Sequence, residues 1–86
     1  MTNKDKYDKI YMDCFSVEQG SLGDKFVYQS VPAWDSVGHM GMIAAIEETF
    51  SITMETDDIV DLSSYKKGME ILAKYGVKME GNGGPA

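Results

Sequence analysis

The sequence predicts an all-α fold, a four-helix bundle with three longer helices, one short third helix and a long first loop. Apolar residues recur every three or four positions in three separate segments, which is typical of helices that bury one face. The one β-like run, Phe26-Val27-Tyr28, has no second strand with which to pair. The 86-residue length allows one domain, placed at residues 1–77, followed by a flexible tail over residues 78–86.

The first helix is predicted from Lys4 to Val17, with Thr2 or Asn3 as its N-cap. One stripe at helical spacing contains its apolar residues, which are Tyr7, Ile10, Tyr11, Cys14 and Phe15. Because Cys14 lies on this stripe, we expect a buried structural thiol rather than a reactive one.

A long connection then runs from Glu18 to Trp34. It contains two glycines and a proline, but also the apolar residues Leu22, Phe26, Val27, Tyr28, Val31 and Trp34. Since a structureless loop of this length is uncommon in a compact domain, we expect these residues to pin the loop across the bundle. Pro32 disfavours helical structure at Val31, so the next helix must begin after it.

The second helix is predicted to begin at Asp35 or Ser36. The Asp35 carboxylate is a good N-cap, because it can accept a hydrogen bond from the amide of Val37 or Gly38. Gly38 and Gly41 each cost about 1 kcal/mol of helix propensity relative to alanine, although their small size would allow a loop or a partner to approach closely. The apolar periodicity continues through Val37, Met40, Ile43, Ala44, Ile46 and Phe50.

Two further helices are expected after residue 55. Thr56 is predicted to cap a short helix from Asp57 to Asp61, whose acidic first turn suits the positive end of a helix dipole. Ser63 is predicted to cap the last helix, from Ser64 to Tyr75, and Gly76 is a typical residue to end it. The apolar stripe of this helix consists of Tyr65, Met69, Leu72 and Tyr75.

The composition narrows the classes of partner. The net charge of −6 disfavours nucleic acid, which demands clustered lysine and arginine, and it favours basic or mixed protein surfaces. The one cysteine forms neither an internal disulfide nor a zinc site by itself. No apolar run is long enough for a signal peptide or a membrane span, so we expect a cytoplasmic protein without a membrane partner.

Ser36 is the residue best placed for chemistry. A serine in the first turn of a helix is commonly no more than a cap or a solvated residue. It also displays a hydroxyl at the positive end of the helix, where free amides and the helix dipole stabilise a phosphodiester. The position therefore suits a phosphate ester.

Hydrolysis and metal binding are disfavoured as activities of this chain. His39, the one histidine, lies three residues after Ser36 on the same helix, and no Gly-x-Ser-x-Gly elbow surrounds the serine. We therefore expect no catalytic residues, and we interpret His39 as a surface residue beside a patch that faces partners. His39 alone does not provide the ligands of a zinc site. The acidic cluster of Asp57, Asp58 and Asp61 lacks the ligand pattern of a calcium-binding loop.

The order of these elements resembles the acyl carrier protein family, specifically its small free-standing members. The likeness extends from Tyr7 to Tyr75 and includes the long first loop. An Asp-Ser pair alone is a weak signal, but here it is followed by an apolar residue and a helix with an acidic-aromatic end. The matching segments are Asp35-Ser36-Val37, Ile46-Glu47-Glu48-Thr49-Phe50, Asp57-Asp58-Ile59 and Ile71-Leu72.

The resemblance implies that a Mg²⁺-dependent phosphopantetheinyl transferase attaches 4′-phosphopantetheine to the Ser36 hydroxyl, with Asp35 assisting at the helix start. The protein would then be a monomeric group carrier rather than an enzyme, holding an acyl group as a thioester for ligases, synthases or acyl-transferring enzymes. The resemblance assigns partner recognition to Val37, His39, Met40, Glu47, Glu48, Asp57 and Asp58. It assigns an acyl pocket between the second and last helices to Ile46, Phe50, Met54, Ile59, Leu62, Gly68, Met69 and Leu72.

Three positions depart from the family pattern. Val37 replaces the usual leucine after the serine, and Gly38 and Gly41 stand where many fatty-acid carriers have acidic residues. The departures make a specialised lipid, polyketide or polysaccharide pathway as reasonable as fatty-acid biosynthesis. Two alternatives stay open, a peptidyl or aminoacyl carrier such as a D-alanyl carrier, and an interaction module without a prosthetic group.

Overall fold

A computed structural model describes residues 2–79 and confirms the all-α prediction. Helix α1 spans Asn3–Phe15, α2 spans Ser36–Phe50, α3 spans Thr56–Asp61 and α4 spans Tyr65–Lys74. A single 3₁₀ turn at Gln19–Ser21 lies in the long first loop. Most of the predicted tail, from residue 80 onward, lies outside the described residues. Within residues 2–79, no helix is long and apolar enough to cross a membrane.

Helix α1 begins with a capping box. The Thr2 hydroxyl accepts a hydrogen bond from the Asp5 amide at 3.1 Å, and the Asp5 carboxylate accepts one from the Thr2 amide at 3.4 Å. The helix ends two residues before the predicted Val17, because Ser16 adopts a left-handed conformation with φ of 54°. The expectation that Cys14 is buried was wrong.

The exposure of Cys14 follows from what faces it on the neighbouring helix. The side chains of α2 beside it, Ala45 and Thr49, are small, and they leave a groove of about 390 Å³ between the helices. Partial burial in this groove, together with the adjacent Asp13 carboxylate, raises the pKa of the thiol.

The first loop is pinned across the bundle, as its apolar residues predicted. Phe26 and Trp34 are buried, and the ring centroid of Trp34 lies 5.5 Å from that of Tyr11 on α1. The β-like run pairs by a single antiparallel bridge from Val27 to Ser64, between α3 and α4. The loop is therefore attached to the connection between α3 and α4, and it contributes two of the large rings of the core.

Helix α2 begins as predicted, with Asp35 as its N-cap. The Asp35 carboxylate accepts a hydrogen bond from the Gly38 amide at 2.9 Å. A β-carbon at Gly38 would lie 2.0 Å from the carbonyl oxygen of Ala33, so this glycine allows the loop to approach closely. The buried face differs from the predicted stripe. Of the predicted residues, Ile43 and Ile46 are buried and Phe50 is half-buried, whereas the exposed ones are Val37, Met40 and Ala44. Met42, which was not predicted, is buried as well.

The two remaining helices begin one residue away from the predicted positions. Glu55, not Thr56, is the N-cap of α3, and no side chain caps its first turn. Ser64, not Ser63, caps α4, because its hydroxyl accepts the hydrogen bond from the Lys67 amide at 2.9 Å. The Ser63 carbonyl instead accepts the Tyr28 amide, which draws that residue into the contact with the first loop.

Candidate functional site

Ser36 is the first residue of α2, and its side chain is exposed. Its hydroxyl lies 3.2 Å from the phenol oxygen of Tyr28, a residue of the first loop. Either oxygen is able to donate this hydrogen bond. The amides of the first helical turn have no partner within the helix, so they direct a partial positive charge towards this hydroxyl.

An open cavity of about 260 Å³ lies beside Ser36. The side chains of Met40, Ile59, Val60 and Leu62 make most of its wall apolar, and hydroxyl groups lie around it. An apolar cavity with a few polar groups is the usual character of a ligand site. Its full lining is Tyr28, Ser36, His39, Met40, Ile59, Val60, Leu62 and Ser63.

His39 forms one wall of this cavity and joins three parts of the chain. The Trp34 indole, which only donates, gives a hydrogen bond to Nδ1 of His39 at 3.0 Å. Nε2 therefore carries the ring proton and donates it to the carbonyl oxygen of Ile59 on α3, at 2.8 Å. The imidazole also stacks on the Trp34 ring at an angle of 11°.

The geometry of His39 differs from the exposed residue that we expected. Its side chain is half-buried, and both ring nitrogens have partners other than Ser36. His39 is thus arranged to hold α2, α3 and the loop together, and it is not placed as a base for the serine hydroxyl.

Exposed apolar side chains lie near Ser36, and two of them, Met40 and Val60, line the cavity. The exposed fractions of Val37, Met40 and Val60 are 81 %, 55 % and 74 %. Asp35 and Asp57 are exposed on the same two helical segments, α2 with its cap and α3. This arrangement of apolar side chains and nearby acids is suited to a protein partner with apolar and basic groups.

Two of the acids predicted to recognise partners make internal contacts instead. Asp58 is buried, and its carboxylate accepts hydrogen bonds from Lys74 at 2.7 Å and from the Tyr75 hydroxyl. These two donors lower the pKa of Asp58. The carboxylate of Glu47 accepts the Met54 amide at 2.9 Å. Glu48 and Asp57 are exposed, so they are the predicted acids with free access to a partner.

The residues predicted to line an acyl pocket are mostly core residues. Gly68 faces the Tyr7 ring so closely that a β-carbon would lie 2.1 Å from the phenol oxygen. Of the predicted set, Ile59 and Leu62 line the cavity beside Ser36. The structure buries Ile46, Met54, Leu62, Gly68 and Leu72, and it half-buries Phe50, Ile59 and Met69.

Sequence reasoning did not identify Tyr28, Trp34, Val60 and Ser63 as residues of this site. Tyr28 and Ser63 meet through the single bridge between the first loop and the α3–α4 connection, which is a long-range contact without a local signature. The one available signal was the β-like run around Tyr28 in an otherwise helical sequence.

Among residues 2–79, no group of three or more His, Cys, Asp or Glu side chains is arranged to hold a metal ion. The sequence matches no family model, and it has no significant match among curated proteins or solved structures. Any functional assignment therefore depends on the residues and geometry of the chain itself.

Proposed function

We propose that this protein is an acyl carrier, which holds acyl groups as thioesters on a 4′-phosphopantetheine arm attached to Ser36. One observation carries the proposal: an exposed serine hydroxyl stands at the first turn of a 15-residue helix, at the edge of an open apolar cavity. The family resemblance of the sequence around this serine adds the identity of the arm.

The residues around Ser36 fit such a group. A phosphodiester at this position would lie at the N-terminus of α2, where the helix dipole favours an anion, beside the Asp35 carboxylate that caps the Gly38 amide. Asp35 is exposed next to the serine, and we assign it the role of assisting the Mg²⁺ of the phosphopantetheinyl transferase. When bound, the arm supplies a thiol that forms the thioester, a group that the chain itself does not provide at this site.

The surface beside Ser36 supports a role in delivering a cargo to partner enzymes. Val37, Met40 and Val60 present apolar contacts, while the net charge of −6 would favour encounter with basic surfaces. We propose that ligases, synthases or acyl-transferring enzymes bind here, and that the protein works as a monomer in the cytoplasm. His39 would act by fixing this surface rather than by touching the partner.

The proposal is tested by incubating the protein with coenzyme A, Mg²⁺ and a promiscuous phosphopantetheinyl transferase. Intact mass spectrometry should show the addition of one phosphopantetheinyl group to the wild type and none to Ser36→Ala. Ser21→Ala is the matched control, because Ser21 is an exposed serine of the first loop and should leave the modification unchanged. A wild type that several transferases leave unmodified would favour an interaction module without a prosthetic group.

The modified protein then decides between acyl and aminoacyl cargo. Ligases that activate fatty acids and ligases that activate amino acids are offered the same holo protein, and the acids loaded are identified by mass. Loading by amino-acid ligases alone would replace the acyl proposal by a peptidyl or aminoacyl carrier.

A further inference from the structure

The Tyr28 hydroxyl is the one side-chain group that bonds to the Ser36 hydroxyl among the described residues. We infer that Tyr28 is a positioning residue, which holds the serine oxygen for modification and donates a hydrogen bond to the modified group. The inference rests on the proposed attachment at Ser36. Tyr28 would orient the serine without taking part in bond making.

Tyr28 is well fixed although it belongs to a loop. Its amide donates to the Ser63 carbonyl at 2.8 Å, which anchors its backbone between α3 and α4. Its ring meets Trp34 edge-on, with centroids 6.3 Å apart, and meets His39 edge-on at 5.9 Å. Three parts of the fold thus determine where the phenol oxygen stands, so its contact with Ser36 is built in rather than incidental.

A fixed phenol has a clear use before modification. In the transfer, the Ser36 oxygen forms a bond to the pantetheine-side phosphorus of coenzyme A. The bond from that phosphorus to the bridging oxygen breaks, adenosine 3′,5′-bisphosphate leaves, and the serine proton passes to a base of the transferase. A free serine side chain samples three staggered positions about its Cα–Cβ bond. A hydrogen bond to Tyr28 favours one of these positions, so the serine side chain loses less rotational entropy when it reaches the transition state.

After modification the direction of the hydrogen bond is determined. The ester oxygen of Ser36 no longer carries a proton, so Tyr28 must donate. The new phosphodiester is an anion close to the Asp35 carboxylate, and a neutral donor beside it offsets part of that repulsion. Tyr28 is placed to be that donor.

The test uses Tyr28→Phe, which keeps the ring contacts and removes the hydroxyl. We expect kcat/KM for the phosphopantetheinyl transferase to fall by roughly three- to tenfold, the factor that corresponds to one neutral hydrogen bond. The loss should appear in kcat rather than KM, because orientation of the serine oxygen matters in the transition state. The ³¹P resonance of the modified variant should also shift, because the phosphodiester loses its donor.

Tyr75→Phe is the matched control, because it removes a phenol that bonds to Asp58 and to the Glu55 amide and not to Ser36. It should lower the free energy of unfolding but leave kcat for the transfer unchanged. Loss of kcat in both variants would mean that stability, and not positioning, explains the effect.

Nuclear magnetic resonance provides a readout that does not need the transferase. Three-bond couplings of the Ser36 β-protons should report one dominant rotamer in the wild type and averaged rotamers in Tyr28→Phe. Averaged couplings in the wild type, or unchanged couplings and kcat in the variant, would overturn the inference. A wild type with one rotamer that no transferase modifies would contradict the proposed function and leave the Tyr28–Ser36 contact established.

Discussion

Two regions of this small protein differ in whether their polar groups are buried or exposed. In the first, the tyrosine cluster of Tyr7, Tyr11 and Tyr65 is buried together with Asp8, and the Asp8 carboxylate accepts a hydrogen bond from the Tyr65 hydroxyl. In the second, the Ser36 site, hydroxyl groups and exposed apolar side chains border an open cavity. The tyrosine cluster is therefore expected to stabilise the fold, whereas the groups of the Ser36 site are accessible from outside.

The tyrosine cluster is completely satisfied. Asp8 accepts hydrogen bonds from the Tyr65 hydroxyl, from Lys4 at 3.0 Å and from Gln19 at 2.9 Å. The Tyr7 hydroxyl donates to the Tyr65 carbonyl at 2.7 Å. Burial, and then the bond to Asp8, raises the pKa of Tyr65 to about 12, so its phenol stays protonated and donates throughout the physiological range.

The largest expected effect contrasts Tyr11 with Val37. Tyr11 is fully buried and its ring meets five other aromatic rings, so Tyr11→Ala should lower the free energy of unfolding by about 3–5 kcal/mol. Val37 is 81 % exposed, and Val37→Ala should change it by less than about 0.5 kcal/mol. Urea denaturation followed by Trp34 fluorescence measures both.

Tyr11→Phe makes this contrast sharper, because it keeps the ring and removes the 2.8 Å hydrogen bond to the Tyr7 hydroxyl. A loss of about 1 kcal/mol is expected for it. Similar losses for Tyr11→Ala and Val37→Ala would break the distinction between the two regions.

The second prediction compares two glycines of α2. Gly38→Ala should lower the free energy of unfolding by about 1–3 kcal/mol, because the new β-carbon would meet the Ala33 carbonyl and the backbone would have to move. Gly41→Ala meets no heavy atom within 4 Å, so it should raise stability by up to about 1 kcal/mol through helix propensity. Thermal unfolding of the two variants gives the signs directly.

The contact at Gly38 also bears on how firmly the Ser36 site is held. Gly38 lies two residues after Ser36, so the site with the exposed surface has a tightly packed backbone beneath it. A stabilising Gly38→Ala would show that the loop gives way easily at Ala33, and that the start of α2 is not held in place by this contact.

Local signals were sufficient for the parts of the structure that depend on near neighbours. The capping role of Asp35 and the start of α2 were predicted correctly, because a carboxylate before an apolar helix acts over three residues. The error at α4 was one residue, since the adjacent residues Ser63 and Ser64 are both able to cap a helix. The error at α3 was also one residue, because the prediction assigned a cap to Thr56 and no side chain caps that helix.

Contacts between segments that are distant in sequence could not be predicted from local patterns. Nothing near Gly68 in sequence indicates that Tyr7 packs against it, and nothing near His39 indicates its hydrogen bond to the Ile59 carbonyl. Cys14 has the periodicity of a buried residue, and its exposure depends on the small side chains that α2 happens to present. The candidate site was therefore identified at Ser36 from sequence, while its walls required the fold.

The smallest predicted effect concerns α3, which lines the cavity of the Ser36 site and is also held by internal hydrogen bonds to the end of α4. One side of α3 lines the cavity through Ile59 and Val60, while Asp58 ties the helix to Lys74 and Tyr75 on the other side. The Lys74 side chain of this ion pair is largely exposed, so solvent screening limits what the pair contributes to the free energy of unfolding. Its loss should loosen α3 without unfolding the tyrosine cluster.

The sign of the pH dependence follows from the lowered pKa of Asp58. A carboxyl group with a lower pKa in the folded state stabilises the fold above its unfolded value of about 3.9, and this contribution is lost as the pH falls through the folded value. Asp58→Asn should therefore be less stable than the wild type at pH 7, with the difference shrinking towards pH 3. Asp57→Asn, which removes the same charge from an exposed neighbour, is the control for the loss of charge alone.

Hydrogen exchange should quicken in α3 of Asp58→Asn but not around Tyr11, and equal quickening in both places would mean that the two regions unfold as one unit.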